Sequence, residues 1–168
     1  MANPLLINVS ELLRQPGRDK DLMVCVPVEH FVFDDQRLTA AEIPINLHLE
    51  SVNGGIAVSG TAEAKWAGEC RRCLSSVEGT AVATIEEFYQ QDLTDPDAYP
   101  IVGDQLDLTP MVRELVLLEL PLSPLCKGDC LGLCPSCGAD LSKARCACKN
   151  EIADHRWDAL SVLRAKLD

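Results

Sequence analysis

Long apolar runs are missing from this sequence: no stretch approaches the ~18 residues that a membrane-spanning helix needs. The first residues, Met1-Ala2-Asn3-Pro4, lack the basic start and apolar core of a signal peptide, so a cytoplasmic location is expected. Positive charge is scarce. Lys and Arg number 15 against 26 Asp and Glu, giving a formal net charge of -11 and a pI of about 4.6. That balance excludes nucleic-acid binding through a general phosphate-neutralising surface, though not through a local basic patch. Internal repeats and low-complexity tracts are also absent. So are the phosphate-binding GxxxxGK[ST], G-x-G-x-x-G and nucleophile-elbow G-x-S-x-G patterns. The three histidines, His30, His48 and His155, are scattered, and each reads as a surface or helix-start residue rather than a ligand. Glu86 and Glu87 are adjacent, so on a strand they face opposite ways and form no acid/base pair.

What is present is globular composition: 168 residues, 47% hydrophobic and 24% charged, enough for one core. Leu5 to Val9 reads as a short strand, with Ser10 capping a brief helix to Arg14 that Pro16-Gly17 breaks. Val24 to Phe33 reads as a strand, placed at an edge or bulged by Pro27, with Cys25 as a small buried hydrophobe. Ile43, Ile45, Leu47 and Leu49 alternate with polar residues, Asn53-Gly54 supplies a hairpin turn, and Ile56 to Trp66 returns. Val77 to Phe88 is a further strand. Glu86 to Asp107 holds seven acidic residues and no basic one, which reads as a solvated loop or as a docking surface for a basic partner. Thr109-Pro110 predicts a helix start with Thr109 as N-cap. The helix carries Met111, Val112, Leu115, Val116 and Leu118, is expected to pack on more than one side, and stops at Pro121. Trp157, Leu160, Leu163 and Leu167 fall at helical spacing in a terminal helix from Arg156 to Leu167.

The nine cysteines stand out, because a reducing compartment disfavours structural disulfides. Eight are paired: Cys70 and Cys73, Cys126 and Cys130, Cys134 and Cys137, Cys146 and Cys148. Thiolates two or three residues apart can both reach an ion at about 2.3 Å, so the four pairs suit two structural zinc ions in four-sulfur sites. In CPSCG, Pro135 stiffens the turn and Gly138 frees the following backbone. The favoured partition joins Cys70, Cys73, Cys126 and Cys130 at one ion and Cys134, Cys137, Cys146 and Cys148 at the other. The alternative makes a local knot of Cys126, Cys130, Cys134 and Cys137 and leaves Cys70 and Cys73 with Cys146 and Cys148. Neither of the ferredoxin spacings is present. A thiol-disulfide redox role for the Cys70/Cys73 pair, its thiols depressed by Arg71 and Arg72, is one competing reading. A zinc-ribbon RNA-binding module is another, with Lys65, Trp66, Arg71 and Arg72 as the contact patch and a second basic cluster at Lys143, Arg145 and Lys149.

CRRCL, then LDLTPMVRELVLLELPLSPLC, then CLGLCPSCGADL resembles the YceD family, also called large ribosomal RNA subunit accumulation protein. The likeness runs from about Gly54 to Leu141 and extends to DHRWDAL near the end. The resemblance implies a non-enzymatic cytoplasmic factor needed for normal accumulation of large-subunit ribosomal RNA. Its matched positions here are Cys70 and Cys73, the Thr109-Pro110 helix and the cysteines from Cys126 onward. Together with the acidic charge it implies a ribosomal protein or pre-ribosomal particle as partner, with direct RNA contact allowed, and no membrane or small-molecule substrate.

The expected fold is therefore α+β. An antiparallel β-sheet is packed by one apolar helix over residues 1–121. Residues 122–168 form a cysteine-rich, zinc-stapled segment with a short terminal helix, the two parts making one integrated domain.

Overall fold

Apolar side chains at every second position build β3, Glu42–Val52, which buries Ile43, Ile45, Leu47 and Leu49 on one face. A computed structural model of the chain describes residues 3–148. The Asn53-Gly54 turn returns β3 into β4, Gly55–Glu69, with Leu49 opposite Val58 and Ile45 opposite Ala62. β5, Ser76–Gln90, pairs antiparallel with nearly the whole length of β4. β2, Asp19–Pro27, forms the outer edge beside β3, and β6, Tyr99–Pro100, lies parallel to the end of β5. The five-stranded sheet thus runs β2-β3-β4-β5-β6 and is mixed rather than purely antiparallel. A second, two-stranded sheet joins β1, Leu6–Asn8, to β7, Gln105–Asp107.

Two α-helices are present among the described residues, the brief α1, Ser10–Arg14, and the apolar α2, Thr109–Glu119. α2 packs on β5 and the adjoining part of β4. There Ala62, Ala64, Ala81 and Ala83 leave room below a helix that buries Met111, Val112 and Val116. Leu5, Phe31, Leu106 and Leu108 complete this core.

Several local expectations are corrected. The segment before β3 pairs earlier than its apolar residues suggest, from Asp19, because register with β3 recruits polar residues into the ladder. It ends at Pro27 and continues as a 3-10 turn, Val28–Phe31, instead of as strand to Phe33. Cys25 is exposed, not buried, because it points to the open face of the edge strand opposite Pro44. Neither expected N-cap acts as one. The N-cap positions are Val9 and Leu108, without side-chain caps, and the first helical amides are met from one residue further back: Asn8 Oδ1 accepts from the Ser10 amide at 3.1 Å, and Asp107 Oδ1 from the Thr109 amide at 2.9 Å. α2 is not enclosed, since Leu118 is 72% exposed. The acidic stretch is not one loop: it includes the end of β5, β6 and β7. The expected terminal helix lies outside the described residues, as do His155 and Lys149.

Candidate metal centres

The first cysteine pair occupies the tight connection between β4 and β5. The Cys70 amide donates to the Ser75 carbonyl and the Leu74 amide to the Cys70 carbonyl, both at 2.8 Å. Leu74 closes the turn in the left-handed region at φ 60°. The third pair makes the same loop. The Cys134 amide donates to the Ala139 carbonyl and the Gly138 amide to the Cys134 carbonyl, both at 2.8 Å, with Gly138 at φ 72°. In both loops the residue after the second cysteine takes a positive φ, which costs a residue with a Cβ but not glycine.

The segment after α2 is fastened over the first loop by backbone bonds. The Arg71 amide donates to the Pro124 carbonyl at 3.0 Å, and the Leu133 amide to the Arg72 carbonyl at 3.0 Å. The Arg72 guanidinium donates from Nη1 to the Cys130 carbonyl at 2.8 Å. Arg37 anchors the start of the same segment: Nη1 donates to the Pro121 carbonyl at 2.7 Å while Asp35 holds its other face at 2.6 Å. That partner keeps the Asp35 carboxyl below its ordinary range. A bridge between Leu133 and Asp140, and the Leu141 amide donating to Gly132, fold the rest back beside the second loop.

These fastenings bring the sulfurs of Cys70, Cys73, Cys126 and Cys130 within 4.8 Å of one another, and likewise those of Cys134, Cys137, Cys146 and Cys148. Cys70 Sγ lies 3.8 Å from Cys130 Sγ, and Cys73 Sγ 3.6 Å from Cys126 Sγ. A tetrahedral ion with bonds of about 2.3 Å has sulfur–sulfur edges of about 3.8 Å. A disulfide would need about 2.05 Å. None of the nine cysteines is in a disulfide.

The electrostatics fit a cation as well. The Cys126 amide, joined by those of Cys73 and Arg72, lowers the Cys70 thiol to about 6. The amides of Cys137 and Ser136, with the Cys146 side chain, lower Cys134 to about 6. The Ser75 hydroxyl, 3.0 Å away, lowers Cys73. Others are driven the opposite way. Cys126 is pushed up to about 12, chiefly by Cys130, and Cys148 up to about 12, chiefly by Cys137. The Cys148 amide pulls Cys146 down, but Cys134, burial and Cys137 outweigh it and raise the thiol. Four sulfurs this close cannot all ionise together; a divalent ion removes the conflict and lets each act as a thiolate. The tetrads can therefore hold metal ions.

The other candidate contacts divide between the end of β4 and the loop that follows it. Lys65 and Trp66 are successive strand residues and face opposite sides of the sheet. Lys65 is exposed; the Trp66 ring packs on Gly79, where a Cβ would come within 2.9 Å of it. Arg71 and Arg72 are exposed at the loop, with Arg72 committed to Cys130. Among the histidines, His30 Nε2 meets Asn3 Oδ1 at 2.9 Å, and His48 Nδ1 meets Asp21 Oδ1 at 2.7 Å beside Asp19 on the outer strands. Sequence reasoning missed Ser75, Arg37 and the bracing role of Arg72. A polar residue two places after a Cys-x-x-Cys was the one available signal for Ser75, and none marked Arg37.

A family profile described as large ribosomal RNA subunit accumulation protein YceD matches residues 58–164. An uncharacterized protein of Mycobacterium tuberculosis (strain ATCC 25618 / H37Rv) is 34% identical over 173 residues, covering 95% of this chain and 81% of that protein. A chloroplastic large ribosomal RNA subunit accumulation protein YCED homolog 1 of Arabidopsis thaliana is 33% identical over 76 residues, 45% of this chain and 24% of its own. An uncharacterized protein of Bacillus subtilis (strain 168) is 29% identical over 99 residues, covering 56% of this chain and 58% of its own. No solved structure matches.

Proposed function

The chain belongs to the YceD family of large ribosomal RNA subunit accumulation proteins, and from that premise we propose that it is a non-catalytic cytoplasmic factor in large ribosomal subunit biogenesis. It supports accumulation of large-subunit ribosomal RNA by binding a ribosomal protein or pre-ribosomal particle. The observation that carries this reading is the span of the family match, which takes in α2 and all eight paired cysteines.

Within that role the tetrads are two structural zinc sites, with Cys70, Cys73, Cys126 and Cys130 holding one ion and Cys134, Cys137, Cys146 and Cys148 the other. An all-sulfur tetrahedral donor set selects zinc over hard cations and leaves no open position for a substrate. Zinc would supply a fixed cross-link rather than redox or Lewis-acid chemistry. Sulfurs gathered in fours favour this over a thiol-disulfide pair at Cys70 and Cys73. The separation of Lys65 from Trp66 argues against that patch as an RNA grip.

The test is sedimentation of the purified full chain with large-subunit precursor particles and with isolated ribosomal proteins, at low and at moderate salt. Co-sedimentation with a particle or a defined ribosomal protein is the expected result. Binding to neither would overturn the proposal.

A further inference from the structure

β5 is 15 residues long, yet β6 pairs with only its last two, Tyr89 and Gln90. From Ser76 to Phe88, no described residue bonds its backbone to β5 on the side away from β4. A row of strand amides and carbonyls is left as a template for one more strand.

The two sheet edges differ in how they are guarded. β2 carries Asp19, Lys20 and Asp21, charges of both signs, and ends on Pro27. Such residues discourage pairing. β5 has neither lysine nor proline, and its centre, Thr80-Ala81-Val82-Ala83-Thr84-Ile85, has no charge at all. An uncharged segment of that composition aggregates when its edge stays open. Charge enters only at the ends, through Glu78 on one side and Glu86 and Glu87 on the other, all of one sign. Glu78, Thr80, Val82, Thr84 and Glu86 are exposed, while Ala81, Ala83 and Ile85 between them are buried. The edge is thus apolar and small in the middle, negative at both ends, and open along the backbone.

We propose that the Ser76–Phe88 edge of β5 receives an extended segment of a basic protein as an additional strand, with lysine or arginine side chains of the guest beside Glu78 and Glu86. A second copy of this chain is the poorer occupant, because antiparallel edge-to-edge pairing would set the glutamates at the ends of one strand against those of the other.

The test uses the full chain and a synthetic peptide of about ten residues alternating lysine and valine, ~33 Å when extended. Two control peptides accompany it, one with glutamate for lysine and one N-methylated at alternate residues. Hydrogen exchange is followed amide by amide. Exchange of the amides between residues 76 and 88 that face away from β4 is expected to slow on the order of tenfold with the lysine peptide and with neither control. A Glu78→Lys/Glu86→Lys double variant, altered only at exposed positions, is expected to lose the lysine peptide by a similar factor. Protection of the β2 edge instead, or equal binding of the glutamate peptide, overturns the proposal. So does slow exchange in the free chain of those 76–88 amides that face away from β4, or protection of them that grows with protein concentration alone. None of these outcomes depends on ribosomal particles, so the inference and the biogenesis reading can fail separately.

Discussion

Cys70 and Cys130 of the first tetrad are 0% and 1% exposed, whereas in the second tetrad Cys137 and Cys148 lie exposed and Cys134 alone, at 2%, is comparably buried. The two tetrads start from the same hydrogen-bonded loop. They differ in what they connect. Cys70 meets Cys130 across 60 residues and Cys73 meets Cys126 across 53, so the first tetrad ties the β4–β5 tip to the chain leaving α2. The second lies within one short stretch, 134–148. Closing a long loop removes more freedom from the unfolded chain than closing a short one. The first also sits under side-chain braces from Arg72 and Arg37. On the proposed reading, one loop motif serves a long-range clamp in one place and a local knot in the other.

The most severe way to break this comparison is Cys130→Ser. It is expected to abolish one bound ion and lower the melting temperature by ~10 °C or more, taking about 2–4 °C per kcal/mol for a domain of this size. Cys146→Ser should remove the other ion but lower the melting temperature by only a few degrees, about 1 kcal/mol on the same scale. Scanning calorimetry with metal analysis of both variants checks the ranking; equal losses would erase the distinction.

A subtler pair sharpens the likeness of the loops. A Cβ placed on Gly138 would meet open space, so Gly138→Ala tests the backbone alone and should cost about 1–2 kcal/mol. Leu74, 60% exposed and already left-handed, should tolerate Leu74→Gly with no loss and a gain of up to about 1 kcal/mol. Denaturant melts of the two variants should move in opposite directions.

The smallest effect lies away from both tetrads. The Asp21 carboxylate raises His48 above the ordinary 6.5. The protonated pair therefore favours the fold below the unfolded value, and that contribution disappears as pH rises through the raised one. An NMR titration should place the His48 midpoint above 6.5, and Asp21→Asn should return it toward that value without disturbing either tetrad.

Much of this was legible where one physical period dominates. The alternation through Ile43 to Leu49 specified β3, its buried face and, with Asn53-Gly54, the hairpin into β4. The apolar helix between Pro110 and Pro121 was equally plain. What escaped was whatever depends on a partner distant in the chain. Cys25 reads as core until the edge position of β2 is known. Ser10 and Thr109 fall just inside their helices instead of capping them, and their amides are met by Asn8 and Asp107 through one choice of side-chain geometry among several. Lys65 and Trp66 look like neighbours in sequence, yet the strand pleat sends them to opposite faces. The bond from Arg37 to Pro121 spans 84 residues and leaves no local trace.

The central claim is that the eight paired cysteines act as two metal clamps of unequal hold. Native mass spectrometry of the full chain, purified under reducing conditions and sampled during a chelator time course, addresses it directly. The account predicts two zinc ions per chain at the start, released in two steps, with the exposed 134–148 site emptying first. A chain that carries no metal when freshly prepared and instead forms sulfur–sulfur bonds among these cysteines would contradict it.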